Sequence, residues 1–217
     1  MSASAPDALR DTLPGLVPGV SRETLDRLDA YGALLRRWQP RINLVSRSTL
    51  DTLEHRHILD SAQLHPLLPA DARIVADLGS GAGFPGLVLA ILGVPEVHLI
   101  ESDTRKCAFL REAARITGTP VTVHNRRIEH VEPFRADVVT ARALAPLTEL
   151  LAYAEPFLGK GGGADGGKDG ICLFLKGRQA DDELTLAREH WKIQAEKIDS
   201  ITDPAGIVLR IRARHFA

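Results

Sequence analysis

Val75-Ala76-Asp77-Leu78-Gly79-Ser80-Gly81-Ala82-Gly83-Phe84-Pro85-Gly86 joins a short apolar run, Arg73 to Leu78, to an apolar helical segment, Leu87 to Leu92. Strand, glycine cluster and helix in that order make a turn that opens onto a helix N-terminus. Glycines there let the backbone turn sharply and let a ligand approach with no side chain in the way. The helix start adds N–H groups without intrahelical partners. A phosphate-binding loop of the nucleotide triphosphatases needs Lys and Ser or Thr straight after the last glycine. Here Gly86 is followed by Leu87 and Val88, which disfavours that chemistry. A dinucleotide fingerprint would read G-x-G-x-x-G, whereas this loop reads G-x-G-x-G from Gly79.

Outward from the loop, short apolar runs alternate with helical patterns. Val97 to Ile100, Val121 to His124, Asp137 to Thr140 and Ile171 to Leu175 read as strands. Ile207 to Ile211 alternates apolar and Arg residues, as a late edge strand would. Helices are expected over Arg105 to Thr117, with Phe109, Leu110, Ala113 and Ile116 on one face, over Pro146 to Leu158, and over Asp181 to His190. This alternation implies an α/β fold with a mainly parallel sheet and right-handed crossovers. Upstream, Leu25, Leu28, Tyr31, Leu34, Leu35 and Trp38 recur at helical spacing, with Ser21 as N-cap and Pro40 as the stop. Trp38 is expected in the core. A second helix is expected from Thr49 to about His65, capped by Ser48 with Asp51 three residues on. Residues 1 to about 19 are rich in Pro, Ala and Gly and read as frayed. The division expected is a helical extension over 1–70 and a sheet domain over 71–217. The segment Gly161–Gly170, with six glycines in ten residues, reads as a flexible turn.

Composition sets the outer bounds. The chain has 217 residues, 44% hydrophobic and 25% charged, which suits a globular α/β domain and excludes a largely disordered chain. The formal net charge of -1 supplies no global basic field. Cys107 and Cys172 form neither a disulfide framework nor a CxxC zinc pair, and read as small buried apolar groups in a reducing compartment. No signal peptide or run of about 20 apolar residues is visible, so the expected location is cytoplasmic.

An acid before a G-x-G-x-G loop is the pattern of S-adenosylmethionine-dependent methyltransferases. Two downstream positions agree with it. Glu101 ends the second strand about 20 residues after the loop, where a carboxylate can bind ribose hydroxyls. Ile128-Glu129 follows the third strand, where an apolar side chain could cover an adenine and a polar group could meet its edge. Arg142 follows the fourth strand at the ligand-binding edge and reads as orienting cofactor or acceptor. Lys176, after the fifth strand, reads either as a phosphate ligand or as a surface lysine. His57 and Asp60 sit three apart on one helical face. They either face the cofactor pocket and guide RNA or pair to fix the helix. Asn43 either contacts RNA or caps a turn. No third ligand joins His55 and His57 at metal-binding spacing, so no metal is expected. Six basic residues and one acid, Glu112, lie between Arg105 and Arg127, and Arg210, Arg212 and Arg214 follow near the end. These read as RNA-phosphate contacts or as solvated faces.

Several elements together resemble the RsmG (GidB) family of bacterial ribosomal RNA methyltransferases. They are Trp38 with Asn43-Leu44, His57-Ile58-Leu59-Asp60-Ser61, the loop from Asp77 to Gly86, Arg142-Ala143 and Leu175-Lys176-Gly177. The resemblance spans nearly the whole chain after residue 20. It implies a Rossmann-like S-adenosylmethionine methyltransferase sheet of seven mostly parallel strands, with an N-terminal helical extension. It implies transfer to guanine N7 in a loop of 16S rRNA. The partner expected is 16S rRNA or the 30S subunit, and the chain is expected to act as a monomer. For the cofactor it implies contacts at Gly79, Phe84, Ile128, Glu129 and Arg142, to which the loop pattern adds Gly81 and Gly83. Competing readings are an NAD-dependent oxidoreductase, which the loop spacing disfavours, a nonenzymatic assembly factor, and a methyltransferase with another acceptor.

Overall fold

The computed structural model describes residues 5–158 and 169–215. The chain opens with α1 (Ala5–Leu16) and α2 (Arg22–Trp38). A 3₁₀ turn (Arg47–Thr49) follows, then a π-helical stretch (Glu54–Leu59) that runs into α3 (Asp60–Ala62) and a second 3₁₀ turn (His65–Leu67). The sheet region then alternates: β1 (Ile74–Leu78), α4 (Gly86–Ile91), β2 (Glu96–Glu101), α5 (Thr104–Thr117), β3 (Thr122–Asn125), β4 (Val138–Arg142), α6 (Leu147–Ala154), β5 (Ile171–Lys176), α7 (Ala180–Ala187), β6 (Trp191–Asp199) and β7 (Ile207–His215).

Among the described residues, seven strands form one sheet in the order β3-β2-β1-β4-β5-β7-β6. Only β7 runs against the others, antiparallel to both β5 and β6. The central strands β1, β4 and β5 are buried on both faces because they are apolar at successive positions. Ile171, Leu173 and Leu175 point into one core with α2, α4 and α5. Cys172 and Phe174 point into the other with α6 and α7. Both cysteines are fully buried. The order reverses between β1 and β4, and their carboxyl ends frame the crevice where ligands bind in open α/β sheets.

Ser21 caps α2 as expected, its Oγ accepting from Thr24 N at 3.0 Å. Trp38 packs on the first core, edge-on to Phe109 at 5.7 Å. Asp103 caps α5 by accepting from Arg105 N and Lys106 N.

The structure corrects five expectations. Residues 5–16, read as frayed, form α1, which buries Leu9 and Leu13 and is tied to α2 by Arg10 pairing with Asp26 and Asp29. Burial of those leucines outweighs the cost of Pro14 inside the helix. The single helix expected over 49–65 is broken into 3₁₀, π and α pieces, and Ser48 does not cap it; its Oγ meets Ser46 Oγ at 2.8 Å. On α5, Phe109, Leu110 and Ala113 are buried but Ile116 is 37% exposed. Trp191–Asp199 is a strand the sequence reading lacked. It takes the edge, so that Ile207–His215 lies inside the sheet. Most of the Gly161–Gly170 segment lies outside the described residues. Among the described residues no helix is long and apolar enough to cross a membrane, and no group of three or more His, Cys, Asp and Glu is placed to hold a metal ion.

Candidate active site

The glycine loop follows β1 and bends through left-handed backbone at Gly79 (φ 64°), Gly81 (φ 56°) and Gly83 (φ 100°). A side chain at Gly83 would also collide, its Cβ lying 2.9 Å from Leu87 Cβ. A Cβ at Gly81 would meet only the Gly79 carbonyl, at 3.8 Å, so this part of the loop presents open space. The loop is braced from below by α2, where buried Tyr31 donates its hydroxyl hydrogen to the Ala82 carbonyl and packs against the Phe84 ring.

Two carboxylates fix the loop ends. Asp77, fully buried in β1, accepts from Thr140 Oγ1 at 2.8 Å, while its Oδ2 has no hydrogen-bond partner. Burial raises its pKa to about 6 against the hydrogen bonds that lower it. Glu101, at the end of β2, accepts from Gly81 N at 2.9 Å and from Asp103 N at 2.7 Å. An ionised carboxylate offers about four lone-pair sites, so two remain for hydroxyl donors. Ile128 and Glu129 lie on a 3₁₀ turn after β3. Ile128 is half-buried against the second core, and Glu129 is exposed. The hydrogen bond of Tyr153 to Glu149, then burial and the charges of Glu149 and Glu129, push the Tyr153 hydroxyl up to about 12.

Arg142, at the end of β4, joins the loop to the N-terminal helices. Its Nη1 reaches the Arg56 carbonyl and Asp60 Oδ2, both at 3.2 Å, and its Nη2 meets His57 Nδ1 at 2.6 Å. The guanidinium lies 4.9 Å from the centre of the Phe84 ring, on which the His57 ring stacks at 5.1 Å. A guanidinium only donates, so His57 Nδ1 accepts and its proton sits on Nε2. Nε2 then donates to Thr49 Oγ1 at 2.8 Å, and Thr49 donates onward to the Ser46 carbonyl at 2.9 Å. Burial first, and then the charges of Arg142 and Arg56, hold His57 neutral with a pKa of about 3. Asp60 does not pair with His57. Its Oδ1 accepts from Thr202 Oγ1 at 2.6 Å and from Gln63 Nε2 at 2.9 Å. The next residue, Ala143, has a positive φ of 50°, a conformation that costs a non-glycine residue of order 1 kcal/mol and here turns the chain directly after Arg142.

Beside Arg142 opens a cleft of about 680 Å³ at the carboxyl ends of β4 and β5, walled also by His57, Asp60, Arg178 and Asp203. Lys176 lies in its wall, but its ammonium is engaged by Glu183 Oε2 at 2.6 Å and by the Ala145 carbonyl at 3.1 Å. Asn43 is not brought to this cleft. It is exposed on the loop after α2, accepting from Gln39 Nε2 at 3.4 Å and lining a separate hollow with Arg41 and Arg47. Thr49, Thr202, Arg56 and Thr140 were not singled out from the sequence. They are ordinary residues whose roles arise from contacts across 8 to 147 positions of chain.

The arrangement can seat a ligand over an open glycine loop, with a buried negative charge beneath it and acceptors free at its rim. That suits a cationic molecule carrying vicinal hydroxyls, as S-adenosylmethionine is. A second ligand can enter the cleft on the other side of Arg142.

A family model for rRNA small subunit methyltransferase G matches residues 24–206. The chain is 61% identical over 194 residues to the ribosomal RNA small subunit methyltransferase G of Paramagnetospirillum magneticum, covering 89% of this chain and 91% of that protein. It is 63% identical to the protein of that name from Rhodospirillum centenum, over 89% of this chain and 86% of that one. Among solved structures, the ribosomal protein L11 methylase of Lactobacillus delbrueckii subsp. bulgaricus superposes with a TM-score of 0.56 at 20% identity, covering 72% of this chain and 77% of its own. TYW2 of M. jannaschii, solved in complex with AdoMet, gives 0.56 at 16% identity over 82% and 80%. These two likenesses bear on the fold.

Proposed function

Because the chain belongs to the rRNA small subunit methyltransferase G family, we propose that it transfers a methyl group from S-adenosylmethionine to N7 of a guanine in 16S rRNA. The observation that carries this reading is the position of Arg142, clamped between the glycine loop and an open cleft.

On this reading Gly79, Gly81, Gly83 and Phe84 form the floor under the cofactor. Glu101 takes its ribose hydroxyls, Ile128 and Glu129 meet its adenine, and buried Asp77 supplies a compensating negative field. When bound, the cofactor supplies a methyl carbon on a sulfonium, which a neutral nitrogen lone pair attacks with no proton removed first. The protein therefore needs no general base, and neutral His57 serves as an acceptor that orients Arg142 rather than as a proton carrier. Arg142 is the catalytic residue of the proposal, aligning the acceptor base with the methyl carbon. Asp60 and His57 hold its guanidinium from the acceptor side, Lys176 with Glu183 shapes the wall, and Asn43 extends the RNA contact beyond the cleft. In the same proposal residues 1–70 brace the loop and the acceptor cleft while residues 71–217 carry the cofactor. The protein acts as a monomer on the 30S subunit in the cytoplasm.

The test is methyl transfer from labelled S-adenosylmethionine to 30S subunits from a strain lacking this gene, with wild-type subunits as the already modified control. Digestion to nucleosides is expected to place the label in 7-methylguanosine, with deletion-strain subunits only. Label in a different nucleoside overturns the N7 assignment. Absence of label from RNA overturns the rRNA reading.

A further inference from the structure

Four cationic side chains line the cleft, Arg56, Arg142, Lys176 and Arg178, together with three acids, Asp60, Glu183 and Asp203. Two ion pairs belong to its walls. The side chains of Arg142 and Asp60 are 19% and 15% exposed, and those of Lys176 and Glu183 are 10% and 19% exposed. The third pair differs. Arg56 Nη1 meets Asp203 Oδ2 at 3.0 Å, with the two side chains 41% and 36% exposed. Exposed pairs are held weakly and exchange with solvent and ions. Arg178 lines the same cleft. The Asp203 carboxyl is held below the ordinary range by the Ala205 backbone N–H, by Arg56 and by the charge of Arg178.

Asp203 is anchored from behind. Its Oδ1 accepts from Ala205 N at 2.9 Å, inside the turn between β6 and β7. That turn is fastened to the π–α3 segment by Thr202 on Asp60 and by Gln63, whose Oε1 accepts from Ile201 N at 3.0 Å. Arg56, in turn, accepts from Arg142 Nη1 through its own backbone carbonyl. An anion drawn onto the Arg56 side chain therefore lies in the same cleft as the Arg142 guanidinium.

We propose that Arg56 and Arg178 form a binding subsite for a phosphodiester group of the acceptor RNA strand, and that Asp203 holds that seat in the RNA-free protein. The inference rests on the rRNA reading above and adds to it the residues that grip the strand. An arginine pair matches a phosphodiester through two-pronged hydrogen bonds. The carboxylate holds Arg56 in place and makes free anions compete for it, so that a phosphate presented on a docked strand is favoured over phosphate in solution.

The test measures KM and kcat for deletion-strain 30S subunits across a salt series. Asp203→Asn keeps an oxygen for Ala205 N–H but removes the competing charge, and is expected to lower KM about three- to tenfold. Arg56→Ala and Arg178→Ala are each expected to raise KM about tenfold, to reduce the slope of log KM against log salt by about one, and to leave the S-adenosylmethionine Kd at the wild-type value. In the Asp203→Asn, Arg56→Ala double variant the gain from Asp203→Asn shrinks. Arg56→Lys, which keeps the charge, recovers part of the loss, and thermal unfolding checks that each variant is folded. Folded variants with wild-type KM and salt slope sink the subsite while wild-type transfer to rRNA leaves the enzyme reading standing. A KM raised by Asp203→Asn assigns the residue to holding the turn and equally overturns the proposal. Failure of the wild type to label rRNA removes both readings together.

Discussion

Arg142 stands on β4, yet its hydrogen-bond partners, the Arg56 carbonyl, His57 Nδ1 and Asp60 Oδ2, all lie on one N-terminal segment, so it ties the two parts of the candidate site together. Arg142→Ala removes one end of the His57 and Asp60 hydrogen bonds and the cation over Phe84. It is expected to cut kcat for 30S subunits by about a hundredfold or more, the scale of losing one well-placed electrostatic group. Arg142→Lys is expected to recover little, since an ammonium cannot reproduce the fork that reaches two side chains and a carbonyl. Wild-type turnover by a folded Arg142→Ala protein removes the residue from the site. At this scale the sequence marked Arg142 by its place after the fourth strand, and His57 and Asp60 by their spacing on one helical face. It could not tell whether His57 and Asp60 bind each other, because their three-residue spacing allows both arrangements and only the arrival of β4 decides between them.

At the scale of elements, the glycine loop depends on β2 as much as on its own glycines. Glu101 bridges Gly81 N and Asp103 N and so ties the loop to the cap of α5. Glu101→Ala therefore removes the proposed ribose acceptor and a loop restraint together. Its S-adenosylmethionine Kd is expected to rise about ten- to a hundredfold by calorimetry, the loss of charged hydrogen bonds worth about 1.5–3 kcal/mol. An unchanged Kd refutes the ribose role. The loop, β1, β2, β4 and β5 were legible because apolar runs of strand length stood between turn signals. The segment 49–65 was misread as one helix because its apolar residues keep helical spacing through a π-helical stretch, and a change of winding leaves no mark in residue types. Trp191–Asp199 escaped because it mixes Lys, Gln and Glu among its apolar positions, as an edge strand facing solvent does.

For the molecule as a whole, two buried groups pull the pH dependence of stability in opposite directions. His57 stays neutral in the fold down to a pKa of about 3. The unfolded chain takes up that proton near pH 6.5, so stability falls as the pH drops from 6.5 towards 3. Asp77 titrates near about 6 in the fold. There the folded state takes the proton first, so stability rises as the pH drops from 6 to the unfolded value near 4. Asp77→Asn deletes the second effect. Relative to wild type, the variant is expected to lose about 1–3 kcal/mol between pH 7 and pH 4 in urea unfolding. An equal difference at both pH values shows that the Asp77 carboxyl is not raised.

Local chemistry was readable in advance. Glycine at 79, 81 and 83 is demanded by left-handed backbone, an acid at Glu101 closes β2, and alternating strands and helices permit little besides a parallel sheet. These follow from what each residue can do with its immediate neighbours, so the sequence alone determined the parallel strands β1 to β5 and the ligand loop. The tertiary structure decided the rest. It set Tyr31 of α2 beneath Ala82, placed Arg142 against the stacked rings of Phe84 and His57, wedged β7 between β5 and β6, and brought Asp203 across 147 positions to Arg56. Such contacts depend on packing between distant segments, where burial and hydrogen-bond partners are set by the whole core and no short stretch of sequence records them.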